Sequence, residues 1–165
     1  MPTRPHEGLY LVTWVDWMLP AHVRAQRLDG SGILLGPPVA LGPRDVMDAS
    51  CPTAAANEHS ATFLVAWANT YWQPYVMGQI HVRQLDKDGA LDGPVLVLPG
   101  RYAGYPTAAA GGNGDFVLAY QDRSFTGPDN DIFGQLFGEA QPGLLLYLPV
   151  LRRNAYRSTP GDGHA

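Results

Sequence analysis

Apolar and polar residues alternate along this chain in short runs, and three of those runs are versions of one another. Residues 62–69 read TFLVAWAN, residues 9–16 read LYLVTWVD, and residues 115–122 read DFVLAYQD. Trp14, Trp67 and Tyr120 are spaced 53 residues apart. A shared spacing of that size marks a repeat architecture. Side chains alternate across a strand. In the middle copy, then, Phe63, Val65 and Trp67 share one face while Leu64 and Ala66 share the other. The first copy groups Tyr10, Val12 and Trp14 against Leu11 and Thr13, and the third groups Phe116, Leu118 and Tyr120 against Val117 and Ala119. One face is aromatic and the other small but mostly apolar, the pattern of a strand covered on both sides. Each copy closes on a turn former, Asp16, Asn69 or Asp122.

The segments around these strands repeat as well. Residues 23–28 and 80–85 alternate like strands and run into turns at 29–32 and 86–89. Asp29 and Asp86 are each followed by Gly at the third position and by Gly-Pro at the seventh and eighth. Short strands are expected after those prolines, at 39–41 and 95–98. Pro-Thr-Ala-Ala opens the second unit at Pro52 and the third at Pro106. The third unit continues through 131–137, has a degenerate turn at 138–143, and finds its last strand within 144–150. The first unit lacks an opening strand.

The expected fold is therefore all-β and β-propeller-like, with about three four-stranded antiparallel blades. The blades fall at about 9–42, 52–98 and 106–150 of a repeat domain spanning 9–151. Residues 1–8 are expected to form a flexible N-terminus, and 152–165 a disordered tail. Trp14, Trp67 and Tyr120 are expected at equivalent buried positions. A β-sandwich also has frequent turns, but it does not repeat one unit three times.

Composition narrows the function classes. The chain has 165 residues, enough for a real core, with Gly 19, Pro 15 and a net charge of −4. That charge supplies no basic field for nucleic acid. No apolar run is long enough to span a membrane as a helix, and the opening residues carry no signal-peptide pattern. Cys51 is the single cysteine, which excludes an intrachain disulfide and a cysteine-based zinc site; a small residue in a partly covered turn is the expected role.

Residues 63–67 (FLVAW), 131–135 (DIFGQ) and the Asp-x-x-Gly turn at 86–89 resemble the tandem repeats of bacterial secreted propeller-like proteins. The resemblance covers about residues 9–143 and implies a fold, with no catalytic residues attached. Residues 146–153, LYLPVLRR, are similar to a short C-terminal segment of some secreted bacterial proteins. Such proteins usually carry more repeats and an export signal. The resemblance therefore implies an extracellular or cell-surface setting, with this chain as the C-terminal piece of a longer parent.

Chemistry-bearing residues are sparse. His6, His22, His59, His81 and His164 show no ligand spacing, so no metal is expected. The 86–89 turn lacks the third acidic ligand and closing glutamate of a calcium loop, and the acidic stretch at 129–131 reads as a solvated turn. Glu7, Glu58 and Glu139 offer no acid–base pair for sugar hydrolysis, and no nucleophile elbow or phosphate loop is present. No catalytic residue and no cofactor is expected. The loops after the key strands, with those joining one unit to the next, carry Trp17, Tyr71, Trp72, Tyr75, Arg101, Tyr102 and Phe125. Such a rim suits a sugar or a peptide; packing between neighbouring blades is the plainer role for the same aromatics. The expected function is non-enzymatic binding or scaffolding. The alternatives are a fragment of a sugar-processing propeller enzyme and a truncated product with no independent function. Both ends of the repeat are apolar, so the chain is expected to associate with itself, as a homodimer or head to tail.

Overall fold

The computed structural model describes residues 8–17, 21–42, 48–71, 77–98, 100, 102–123, 130–138 and 148–151. Eleven strands run through them, without helix. They are β1 (Tyr10–Asp16), β2 (His22–Leu28), β3 (Leu34–Ala40), β4 (Asp48–Asn57), β5 (Thr62–Tyr71), β6 (Met77–Asp86), β7 (Leu91–Leu98), β8 (Gly104–Ala110), β9 (Phe116–Arg123), β10 (Asn130–Phe137) and β11 (Leu148–Leu151). Three antiparallel sheets result, ordered β1-β2-β3, β4-β5-β6-β7 and β11-β10-β9-β8. The first sheet has three strands and the other two have four, as the missing opening strand of the first unit predicts. The segments 1–7 and 152–165, expected as a flexible N-terminus and a tail, lie outside the described residues.

Alternation along the key strands sets how the sheets stack. Phe63, Val65 and Trp67 join Val23, Ala25 and Leu41 in one buried cluster. Leu64, Ala66 and Ala68 join Phe116, Leu118 and Tyr120 in a second. The middle sheet is thus covered on both faces, its aromatic side toward the first sheet and its smaller side toward the aromatic side of the third. Phe63, Leu64, Val65, Ala66, Trp67 and Ala68 are all at most 3% exposed, so the burial of β5 supplies much of the hydrophobic stabilisation.

The repeat extends to backbone detail. Asp29 Oδ1 accepts the amides of Ser31 and Ile33 at 2.9 Å. Asp86 Oδ1 accepts those of Asp88 and Ala90 at 2.9 and 2.8 Å. Both carboxylates are spent on closing their own turns. Cys51 and Tyr105, each just before the proline of an opening strand, have φ of 50° and 52°. Both fall in register shifts, between Ser50 and Thr53 and between Gly104 and Thr107. An α-left residue in a bulge turns one strand edge locally.

Several expectations need correction. The last strands of the first two units start before their Gly-Pro pairs, at Leu34 and Leu91, so those pairs lie inside strands. Ladder partners skip past them, between Ala25 and Arg27 and between Val82 and Gln84. Proline is tolerated there because β3 and β7 are sheet edges and bulged. The opening strands start at Asp48 and Gly104, ahead of Pro52 and Pro106, because the bulge carries pairing past each proline. Cys51 is exposed and sits in β4, not in a covered turn. Trp14 is half-buried, unlike Trp67 at 2% and Tyr120 at 4%. Its face of the first sheet has no covering sheet among the described residues, and Tyr10 and Val12 beside it are 56% and 50% exposed.

Candidate functional site

Asp16, Asn69 and Asp122 occupy equivalent positions at or near the C-terminal ends of β1, β5 and β9. Each is tied down differently. Asp16 Oδ2 lies 2.9 Å from Arg24 Nε and 3.8 Å from His22 Nε2. Arg24 Nε also donates to His22 Nε2 at 3.1 Å, which requires the imidazole nitrogen to act as acceptor. His22 is 3% exposed, and the strand register sets it directly opposite Asp16. Asn69 Nδ2 lies 3.4 Å from His81 Nε2, both side chains being buried. Asp122 Oδ1 accepts the backbone amide of Tyr102 at 2.9 Å.

The last contact joins the two loop classes that a four-stranded meander places at one end. Gly78, the second residue of β6, bridges Tyr102 in parallel, and its carbonyl accepts the amide of Ala103 at 3.0 Å. A Cβ on Gly78 would run into the Ala103 carbonyl, so glycine is what permits this approach. The connection between the second and third sheets is thereby stitched to both β6 and β9.

Of the rim residues expected from sequence, Trp17 is 67% exposed immediately after Asp16. Tyr102 is partly buried in the stitched connection. Tyr71 ends β5, its side chain lying outside the described residues. Trp72, Tyr75, Arg101 and Phe125 also lie outside them. Sequence reasoning missed the Asp16–His22–Arg24 cluster, because its members come from two strands and meet only through the register. Its signal was the polar-alternating run that opens β2, His22 and Arg24 flanking Val23.

A second concave feature lies between the first sheet and the β4–β5 hairpin. This cleft, about 640 Å³, is lined by Gly8, Leu9 and Tyr10 on one side and by Ala56, Asn57 and Thr62 among others on the opposite side. Among the described residues no group of three His, Cys, Asp or Glu side chains is placed to hold a metal ion, and no helix is long and apolar enough to cross a membrane. No protein-family model matches the chain, and no curated protein matches it in sequence.

Proposed function

We propose that this chain is a propeller-like repeat module of an exported bacterial protein, acting by binding or scaffolding and without catalysis. The observation that carries the reading is a pair of open sheet faces. The aromatic face of the first sheet exposes Tyr10 and Val12, at 56% and 50%. The smaller face of the third exposes Val117, Ile132 and Leu136, at 45%, 41% and 37%. These are the two chemistries that meet at each internal interface, so the faces are complementary to one another. Exposed apolar patches of this kind serve association. Further blades of a longer parent or a second copy would cover them, and two copies would give about six blades, within the usual range for a propeller.

Small ligands fall to the rim. Trp17, exposed beside the charged Asp16–Arg24 pair, offers a flat apolar surface next to hydrogen-bonding groups, the combination that suits a sugar ring or a peptide.

Light scattering with size-exclusion chromatography tests the association. Dimers or larger species at micromolar concentration support it, and a strictly monomeric 17.9 kDa species overturns it. For the rim, a glycan and peptide array is probed with the native chain and with Trp17→Ala, Trp72→Ala and Tyr75→Ala. Hits lost in the variants at unchanged melting temperature support the ligand reading, and an array without hits removes it.

A further inference from the structure

The first sheet differs from the others in one strand, and that difference leaves a shaped space. In the second and third sheets the opening strands β4 and β8 pair with the outer edges of the key strands β5 and β9. β1 pairs with β2, and among the described residues no strand lies along its other edge. The surroundings of the empty position are those of a filled one. β5 packs against β8 as β1 packs against β4, and β4 itself lies along β8. A strand beside β1 would lie along β4 in the same way.

The cleft between the start of β1 and the β4–β5 hairpin lies at one end of that position, where Tyr10 opens β1. Its wall is small and open: Ala56 of β4 is exposed, whereas Ala55, facing the third sheet, is 9% exposed. The filled counterpart shows what closes such a space. Asn57, at the end of β4, sends its Nδ2 into the next hairpin, donating to the carbonyls of Gly111 at 3.0 Å and Asp115 at 2.9 Å. Ala56 opposes Phe63 as Ala110 opposes Phe116, so by register Asn57 and Thr62 in the β4–β5 hairpin stand where Gly111 and Asp115 stand in the β8–β9 hairpin. Asn57 and Thr62 both line the cleft.

We infer that the outer edge of Tyr10–Val15, with this cleft, is an acceptor for an extended strand: the opening strand of a preceding unit of the same repeat. The strand adds to the sheet through backbone hydrogen bonds, as peptides do at open sheet edges. Small alternating side chains fit against Ala54 and Ala56, and a terminal Asn donates its amide to the carbonyls of Asn57 and Thr62. The chain's own opening strands have this character, Pro-Thr-Ala-Ala-Ala-Asn at 52–57 and Pro-Thr-Ala-Ala-Ala-Gly at 106–111. The rim takes no part in this; Tyr10 is shared by the cleft and the open face, but backbone pairing at the edge and covering of the face are read by separate measurements.

The test is a synthetic peptide copying residues 48–57 with Cys51→Ser, added to the full chain while amide hydrogen exchange is followed by NMR. At a peptide concentration 100 times Kd, alternate amides of Tyr10–Val15 are expected to exchange about 100-fold more slowly. The same peptide carrying Asn57→Ala is expected to bind at least about tenfold more weakly, having lost two hydrogen bonds. Absence of binding at millimolar peptide overturns the inference. So does β1 protection in the free chain equal to that of β5, or protection that appears on β3, β7 or β5 instead of β1.

Discussion

The Trp67 indole packs on the His81 imidazole, ring centroids 5.6 Å apart and tilted by 45°. One repeat later Tyr120 and Phe133 hold the same places, at 5.7 Å and 20°. The first sheet pairs Trp14 with Arg24 in the corresponding register, on a face that no other described sheet covers.

Trp67→Ala is therefore expected to cost about 3–5 kcal/mol, the usual loss for a large buried aromatic. Trp14→Ala is expected to cost less than about 2 kcal/mol because half-buried area is returned. Urea unfolding of both variants measures the difference. Equal losses would mean that the first sheet is covered in solution.

Asn57 joins two sheets and also closes its own turn, its Oδ1 accepting the amides of His59 at 3.0 Å and Ser60 at 3.3 Å. Asn57→Ala removes both roles and is expected to cost about 1–3 kcal/mol. Asn57→Asp keeps an acceptor for the turn but sets a carboxylate against the carbonyls of Gly111 and Asp115. It should be no more stable than Asn57→Ala above pH 5, and it should recover part of the loss when acidified. Denaturant unfolding at pH 7 and pH 4 tests this.

Gly78→Ala forces a methyl into the Ala103 carbonyl, whereas a Cβ on Gly112 meets nothing within 4 Å. Overpacking against backbone costs about 1–3 kcal/mol. Gly78→Ala is expected to lower the melting temperature by several degrees, with Gly112→Ala close to wild type, as differential scanning fluorimetry will show.

Two turn carboxyls are held below their ordinary value of 3.8: Asp29 chiefly by the Ser31 hydroxyl, Asp88 chiefly by the hydrogen bond from Lys87. A depressed carboxyl stabilises the fold above its unfolded pKa and loses that contribution as pH falls through its folded value. Carbon-detected NMR titration should place both midpoints below 3.8. The Asp88 midpoint should rise in 1 M salt more than that of Asp29, because a charged partner is screened and a hydroxyl is not. Matching salt responses would contradict these causes.

Much of the fold was legible because covered strands must be apolar on both faces, and residues 62–69 satisfy that without ambiguity. The Asp-x-x-Gly turns were legible because their hydrogen bonds are local. Strand limits were not: Gly-Pro reads as a break, yet an edge strand absorbs it in a bulge. Trp14 was misjudged since composition cannot say whether a neighbouring sheet exists. The Asn57 contact escaped because its partners, Gly111 and Asp115, contribute only backbone carbonyls, which no side-chain pattern reveals. Trp17, read as a loop residue from the sequence, is exposed just after β1, while the contacts among Asp16, His22 and Arg24 needed the β1–β2 register.

The middle sheet meets the first with its aromatic side and the third with its smaller one, and the third meets the middle with its aromatic side, so the stack has a direction, like nested cups. Such an array can lengthen by in-frame duplication of one unit, since the new copy presents to both neighbours the surfaces they already fit. Recombination between copies is equally harmless to packing while crossovers keep the 53-residue phase between Trp14, Trp67 and Tyr120. Genes of this kind are therefore expected to vary in copy number between closely related organisms more readily than in the residues that face one another.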